Sequence, residues 1–556
     1  MTLAPWRRRA LVATVLVLSL TLFFRDALLA RFTLFYGDSY DGMIEIALLN
    51  HWYNVFAHGA TWNLTGWFAP NGDTLGYNDS YILPGVIFAF ARMAGSDPFM
   101  AAFFSHVAMK AIGFLGMYAL LFRGFRLPLG LSLAGATLFA TANASLLHMY
   151  HAQLLAVGLI PWLMLAMIGT VRAMAGDHRA AMWRNGFGFA LLFGLGALNA
   201  FYQIWFLCFF TLIFVPVGLA IASPETRATL WSTASRHWRA LIILTASTAV
   251  ALLPFLIVYL PKAAESGGHD WATGARDYLL IASTFVNSGP GNLIWGHILP
   301  MRSFHGGEGR VGFPLGILFA LLVASVWAWR NRAQVPMATA TAITLGIILL
   351  MMIRWSKTIS IWWVVYHFVP GAGAVRVIER FMLFALIPAI VIVFQFLNRP
   401  GARPATTWTI IAFLLIEQVQ LAAPLTLDRQ AQMQMLTDVG APPASCDTFF
   451  VVSARLVTGA VASDAERTLR AWGNRQGDGM ALLLRYRHNV DAMMLASYYR
   501  RPTINGFSTF NPPGWNFERP YDDNYLSRVR AYARRNPVGR LCGLDRRRSP
   551  YWFAFR

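Results

Sequence analysis

Long apolar segments separated by short basic gaps restrict the fold of this chain more than any other feature. Residues 204–221 and 381–397 contain no charged side chain, and each is close to the length of a helix that crosses a bilayer. Only 13% of the 556 residues are charged, whereas a soluble protein carries about 25%. The sequence therefore predicts a mainly α-helical, polytopic membrane protein.

Eleven segments are predicted to span the membrane. They comprise residues 10–24, 99–122, 127–147, 154–171, 187–200, 204–221, 241–260, 311–329, 337–353, 381–397 and 406–421. Residues 81–94 are apolar but short, and we expect them to be interfacial or re-entrant. The predicted membrane domain is residues 1–424, with long outer loops at 32–98, 261–310 and 354–380.

The charges of the gaps predict the orientation. On one side every gap is basic, holding Arg123 and Arg126; Arg172, Arg179 and Arg184; Arg227, Arg236 and Arg239; Arg330 and Arg332; Arg399 and Arg403. The opposite gaps near His148 and Asn199 carry no Lys or Arg. Because cytoplasmic loops are the basic ones, we expect a cytoplasmic N-terminus in a bacterial inner membrane. This distribution accounts for the net charge of +20 without nucleic acid as a partner.

Residues 425–556 are richer in charge and predict a small α+β domain on the periplasmic face. Strand-like patterns lie near 449–452 and 551–555, with a helical pattern at 525–535. Cys446 and Cys542 bracket the domain. A disulfide is permitted outside the cytoplasm, but spacing in sequence leaves the pairing open.

Asp38 and Asp41 are the candidate catalytic residues, at the start of the first outer loop. Two carboxylates three residues apart can share one face of a helix. Near an apolar boundary such a group can act as a general base, or hold a divalent cation through its oxygens. The alternative is an Asp that caps the following helix. Asp73 and Asp79 are interpreted as turn residues.

The other candidates are expected to bind substrate. His148 and His151 follow the third predicted span, where they can bind a sugar or phosphate, or simply lie at the headgroup level. Glu308 and Arg310 lie in a Gly-rich stretch, which is either an oxyanion site or a flexible connector.

A second Gly-rich turn, at residues 370–374, leads into Arg376, Glu379 and Arg380. Arginine binds phosphate in a bidentate manner, and the outer face is not where topology alone would place basic residues. The alternative is that these arginines are interfacial anchors paired with Glu379.

Taken together, these features resemble the C-type (GT-C) integral-membrane glycosyltransferases, as an uncharacterised bacterial subfamily. The resemblance rests on the layout, on residues 37–41 after the first helix, and on residues 370–381. It implies a polyprenyl-phosphate sugar as donor, a glycan, lipid or protein as acceptor, and Asp38 as the catalytic carboxylate with Asp41 as its partner. The spacing differs from the adjacent or once-spaced acidic pair of the wider family, which leaves open the identity of the base and the need for a metal.

The resemblance and the layout together suggest a mechanism. Arg376, Arg380 and Arg310 would hold the donor phosphate while Asp38 deprotonates the acceptor, with inversion at the anomeric carbon. We expect the C-terminal domain to help bind acceptor through Trp472, Tyr498, Tyr499 and Trp515. The competing classes are a lipid or polysaccharide transporter or flippase, and a non-catalytic component of a glycan assembly complex. Against a transporter we count a lack of internal repeats and of charges deep within spans.

Overall fold

The computed structural model describes residues 4–299, 309–310, 312–356, 359–421, 425–455, 476–508 and 510–555, and these are mainly helical. The first half of the chain contains α1 Pro5–Phe23, α2 Arg25–Leu29, β1 Leu34–Tyr36, α3 Asp41–His58, α4 Ile82–Met93, α5 Pro98–Ala119, α6 Leu129–Ala140, α7 Asn143–Leu147, α8 Ile160–Ala175, α9 Arg179–Asn199, α10 Phe201–Ile221, α11 Pro224–Arg236, α12 Trp238–Ala251 and α13 Leu253–Ser266. The second half contains α14 Ala282–Phe285, α15 Trp295–Ile298, α16 Leu315–Arg330, α17 Pro336–Met352, α18 Trp362–Phe368, α19 Phe381–Leu397, α20 Pro404–Ile416, β2 Thr426–Asp428, α21 Arg429–Val439, β3 Thr448–Ser453, α22 Gln476–Tyr499, α23 Tyr525–Arg535, β4 Leu541–Asp545 and β5 Trp552–Ala554.

Five helical segments are long and apolar enough to cross a membrane within the described ranges. They are Pro98–Gly124, Leu129–Leu147, Ala152–Ala175, Phe201–Ile221 and Ile378–Leu397. The pair α12 and α13 would make a sixth span, bent by 53°. Pro254 lies at the start of α13, where its ring and missing N–H interrupt the helix. All eleven predicted segments are largely helical, while the count of eleven spans remains a prediction.

One buried cation contradicts the sequence argument that charges are lacking deep within the spans. Lys110 lies in α5 and is 6% exposed. Its Nζ atom is 4.0 Å from the centroid of the Phe23 ring on α1. A cation–π contact of this kind supports a charged group away from water.

The first outer segment, residues 32–98, is largely structured rather than a loop. It contains β1, α3 and α4, and α4 matches the apolar segment expected to be too short to span. Gly59 ends α3 in the left-handed conformation, with φ of 67°. Asp97 then begins α5, because its carboxylate accepts hydrogen bonds from the backbone N–H groups of Phe99 and Met100.

The strands of the C-terminal region belong to two small sheets, and one of these sheets includes β1 from the first outer segment. β1 pairs antiparallel with β2, while β3 pairs parallel with β4 and β4 antiparallel with β5. The strands β3 and β5 and the helix α23 lie where the sequence patterns predict them, whereas β1, β2 and β4 were not predicted. Cys446 and Cys542 form a disulfide, with a Cα–Cα distance of 5.7 Å.

The C-terminal region packs directly on the first outer segment. Their apolar residues form one continuous core, in which Trp52 of α3 and Met493 of α22 are both buried. Asn50 and Asn54 of α3 each donate a hydrogen bond of 2.7 Å to the carbonyl oxygen of Ser497. The position of the loop that follows β1 is therefore fixed from both ends of the chain.

Candidate active site

A close approach of two glycines shapes the loop between β1 and α3. A Cβ atom on Gly42 would lie 2.7 Å from the Cα atom of Gly37. Real Cβ atoms do not come this close to backbone, so the tight loop requires glycine at this position. The loop folds back over the first turn of α3 and directs Asp38 into the protein.

Asp38 is fully buried, and its two carboxylate oxygens have different environments. Oδ1 accepts hydrogen bonds from the backbone N–H groups of Tyr40, at 2.9 Å, and Gly42, at 3.1 Å. Oδ2 is buried without a hydrogen-bond partner among the described residues. One oxygen thus stabilises the helix start, as the capping alternative proposes, and the other is left for a ligand. Asp38 precedes α3, so the prediction that it shares a helical face with Asp41 is wrong.

Burial and the neighbouring Asp41 raise the pKa of Asp38 from 3.8 to about 7. Asp41 is the first residue of α3, and its side chain is 38% exposed. Its Oδ2 atom lies 3.4 Å from Nδ1 of His151. The two carboxylates therefore differ in environment. Asp38 is shielded from water, whereas Asp41 is partly exposed and lies beside the imidazole of His151.

Asp79 joins this cluster, contrary to its interpretation as a turn residue. It lies just before α4, and it accepts a hydrogen bond from the backbone N–H of Phe201, the first residue of α10. Burial raises its pKa to about 6, and the charges of Arg380 and His151 oppose that rise. Asp73 is the turn residue that the sequence predicts, with φ of 51°.

Tyr202 positions the arginine segment after the second Gly-rich turn. Its hydroxyl accepts hydrogen bonds from the backbone N–H groups of Arg376, at 2.9 Å, and Val377, at 3.4 Å. The guanidinium carbon of Arg380 lies 5.5 Å from the centroid of the Tyr202 ring. Glu379 and Arg380 are both buried, so they are not the water-exposed anchors of the alternative interpretation.

Arg376 and Arg310 each lie beside a tyrosine. Arg376 is half-buried, stacks over Tyr278 and interacts electrostatically with His269. Arg310 is half-buried and interacts with Tyr150. The ring of Tyr150 is 4.2 Å from that of His151, measured between centroids.

The remaining substrate-binding candidates differ in how closely they join the cluster. His148 is buried, and its Nδ1 atom is 3.0 Å from the carbonyl oxygen of Ala144. Its ring is stacked on Tyr150, at 5.8 Å between centroids, which connects it to His151. Glu308 lies outside the described residues.

Three of the four domain residues expected to bind acceptor make contacts within the protein. Trp515 is buried and donates to the carbonyl oxygen of Ile504, and Tyr499 donates to that of Leu436. Tyr498 packs edge-on against Tyr499. Trp472 lies outside the described residues.

No set of three His, Cys, Asp or Glu residues has the arrangement of a metal site in the described part of the chain. The described residues, Asp38, Asp41 and His151 among them, supply no such set of ligands.

Similar solved structures include two glycosyltransferases. The arabinofuranosyltransferase AftD from Mycobacteria has a TM-score of 0.46 and 13% identity, over 82% of this chain and 30% of that chain. The oligosaccharyltransferase of Archaeoglobus fulgidus, solved with Zn and sulfate, has a TM-score of 0.46 and 10% identity, over 95% of this chain and 67% of that chain. This chain therefore spans less than a third of the length of the arabinofuranosyltransferase. No protein-family model matches the sequence, and no curated protein matches it.

Sequence reasoning missed the contributions of Asp79, Tyr202 and a buried pair formed by Glu45 and His106. Glu45 lies one turn after Asp41 on α3, and its Oε1 atom is 2.5 Å from Nε2 of His106 on α5. The signal for Glu45 was its spacing of four residues from Asp41. Tyr202 and Asp79 gave no local signal, because their partners are far away in sequence.

Proposed function

We propose that this protein is a GT-C-type glycosyltransferase of the bacterial inner membrane. It would move a sugar from a polyprenyl-phosphate donor to a glycan, lipid or protein acceptor at the periplasmic face, in the modification of envelope glycans or glycolipids. The observation that carries this proposal is the buried Oδ2 atom of Asp38, which lacks a hydrogen-bond partner within the described residues.

Asp38 is the proposed general base. With a pKa of about 7, a large fraction of this carboxylate is ionised at neutral pH, and the group still has proton affinity. Its Oδ2 atom would accept the proton of an acceptor hydroxyl. The oxygen of the acceptor hydroxyl would then attack the anomeric carbon in one displacement, with inversion, as the bond to the donor phosphate breaks.

Arg380, Arg376 and Arg310 are the proposed phosphate-binding residues. As the glycosidic bond breaks, negative charge grows on the departing phosphate, and fixed guanidinium groups would stabilise it. Tyr202 supports this role because it holds the backbone at Arg376 and faces the guanidinium of Arg380. The neighbouring Asp79 interacts electrostatically with Arg380, and its ionisation would oppose the binding of phosphate.

Asp41 is the weaker candidate for the base. Its side chain is partly exposed and paired with His151 at 3.4 Å, whereas Asp38 is shielded from water. We assign Asp41 to tuning Asp38 and positioning His151.

A transporter or flippase remains the alternative, and Lys110 is the observation that favours it. Buried charges within spans often belong to ion or substrate pathways. A non-catalytic role in a glycan assembly complex is separated from both by an activity measurement.

The test compares Asp38→Asn, Arg376→Ala and Asp73→Asn in purified full-length protein. The donors are a set of polyprenyl-phosphate hexoses and pentoses, and direct binding of polyprenyl phosphate is measured in parallel. Asp38→Asn should lower the transfer rate by about 10²- to 10⁴-fold and leave phosphate binding unchanged.

The other two variants complete the comparison. Arg376→Ala should weaken phosphate binding first, and Asp73→Asn, an exposed turn residue, should match the wild type. Full activity of Asp38→Asn would overturn the proposed base. Absence of transfer by the wild type with every donor, together with movement of lipid across vesicles, would favour the transporter.

A further inference from the structure

A groove of about 500 Å³ lies between the first outer segment and the C-terminal domain, away from the Asp38 cluster. Its walls come from the last turns of α3, from residues 60–71, and from the chain at the end of α22. Along α3, the groove is separated from Asp41 by about 20 Å, at 1.5 Å per residue between Asp41 and Asn54. The groove is therefore separate from the Asp38 cluster.

The lining of the groove combines apolar and hydrogen-bonding groups. Pro70 and Pro502 provide rigid apolar walls, and Asn54 and Thr61 provide polar groups. Trp67 also lines it and is 1% exposed, and its Nε1 atom is buried without a hydrogen-bond partner among the described residues. A buried N–H without a partner is costly, so such a donor indicates a ligand or bound water.

The charge of the groove has one sign. His58, Arg500 and Arg501 line it, and no Asp or Glu does so in the part of the chain that the structure describes. Desolvation and the nearby cation Arg500 lower the pKa of His58, so these two side chains lie close together. Asp447, next to the lining residue Thr448, is paired with Arg540, with Nε 3.2 Å from Oδ2, and also interacts electrostatically with Arg501.

We infer that this groove binds an anionic saccharide, and that it holds the acceptor of the transferase at a distance from the reacting hydroxyl. The saccharide class follows from an uncharged wall of prolines beside amide, hydroxyl and indole groups. The negative charge follows from the two arginines, Arg500 and Arg501. The role as acceptor site rests on the proposed function, whereas binding itself does not.

A membrane surface explains the groove less well than a sugar chain. Headgroups form a broad layer and bind side chains that protrude toward it, whereas Asn54 and Trp67 are buried at the walls of a concave site. An extended saccharide can lie along the groove with one end beside α3. Binding energy gained there would increase transfer to long acceptors more than to short ones.

The test measures binding of oligogalacturonate to full-length protein in a non-ionic detergent. The double variant Arg500→Gln with Arg501→Gln should weaken Kd by about tenfold or more, because each removes a charge-assisted hydrogen bond. Arg500 has φ of 54°, and Gln meets the same backbone cost as Arg there. Arg519→Gln with Arg535→Gln is the matched control, since it removes two exposed charges that do not line the groove. This control should leave Kd unchanged.

Three further measurements keep the inference open to refutation. A neutral malto-oligosaccharide of equal length should bind at least about tenfold more weakly than oligogalacturonate. Trp67→Phe preserves most of the ring and deletes the N–H, and should weaken Kd by about two- to tenfold. Equal loss of binding in the control pair, or binding of phosphatidylglycerol vesicles but no saccharide through Arg500 and Arg501, would overturn the inference.

These outcomes are distinct from failure of the proposed function. If Asp38→Asn binds oligogalacturonate with the wild-type Kd but the wild-type protein transfers no sugar, the groove is supported as a saccharide site. The same result would contradict the proposed transferase function. An active enzyme that binds no oligogalacturonate would do the opposite.

Discussion

The Nδ1 atom of His151 lies 3.4 Å from Oδ2 of Asp41, and the same imidazole interacts electrostatically with Asp38 and Asp79. One imidazole is therefore coupled to three carboxylates, two at the start of α3 and one just before α4. Two of those carboxylates have a raised pKa. The charge on each is set by its neighbours, so substitution of one should change the titration of another.

The pH profile of transfer should report on Asp38. A base must be ionised, so kcat/KM should rise with pH through about 7 in the wild type. Asp41→Asn removes a negative charge that raises the pKa of Asp38, so the rising limb should move to lower pH. The measurement is kcat/KM between pH 5 and 9 in both proteins. A limb that does not move, or moves upward, would contradict the assignment.

Asp79 should oppose donor binding as it ionises. Its pKa is about 6 and it lies beside Arg380, so raising the pH through 6 puts a negative charge next to the bound phosphate. Asp79→Asn should tighten polyprenyl-phosphate binding at pH 7.5 by up to about fivefold. It should also remove the pH dependence between 5 and 7. Arg380→Gln is the opposing variant and should weaken binding at every pH. If Asp79→Asn weakened binding as much as Arg380→Gln, Asp79 would instead be a positioning residue.

Gly42→Ala should damage the Asp38 loop and leave the rest of the fold intact. The added Cβ would meet the backbone of Gly37 at 2.7 Å, so the loop must move. We expect a loss of transfer of at least about tenfold, with thermal unfolding and elution volume close to those of the wild type. Gly72→Ala is the control, because a Cβ there meets no atom within 4 Å.

The disulfide should stabilise the C-terminal domain chiefly by restricting its unfolded chain. It closes a separation of 96 residues, which corresponds to about 4 to 5 kcal/mol in the chain-entropy model. Cys446→Ser with Cys542→Ser should lower the thermal midpoint in detergent, and reductant should do so in the wild type but not in the variant. Alkylation of both thiols in folded, non-reduced protein would rule the bridge out.

The predicted orientation can be tested by labelling single cysteines in cells. Gly72→Cys should react from the periplasm and Arg332→Cys from the cytoplasm, in a background with Cys208→Ser and the disulfide retained. Both positions are exposed, so access is not limited by folding. Labelling of Gly72→Cys only after the inner membrane is permeabilised would invert the topology and remove the enzyme proposal built on it.

The sequence predicted the helical elements well because lipid imposes a simple rule on them. Apolar runs such as residues 204–221 and 381–397 become α10 and α19 with boundaries close to those expected. Residues 32–98 were predicted less well. Their mixture of Trp, Asn and Gly indicates a loop locally, but α3 is helical because it is buried between α4 and α22.

The candidate site was predicted only in its locally encoded parts. Asp38 is conspicuous because it stands beside glycines just after a membrane helix. Asp79 is not, since it acquires its role from Arg380 and His151, which only the folded chain brings to it. The same holds for Tyr202, which lies in the short gap between two predicted spans and has no evident role until its hydroxyl meets the backbone of Arg376.

The pairing of β1 with β2 places a condition on biosynthesis. Leu34–Tyr36 leaves the ribosome early, but its partner Thr426–Asp428 is made only after the membrane helices. The backbone N–H of Gly37, immediately before Asp38, likewise donates to the carbonyl oxygen of Leu425. The segment that supports the proposed base therefore cannot take its final form while the chain is still being inserted, and a nascent or prematurely terminated polypeptide would remain inactive.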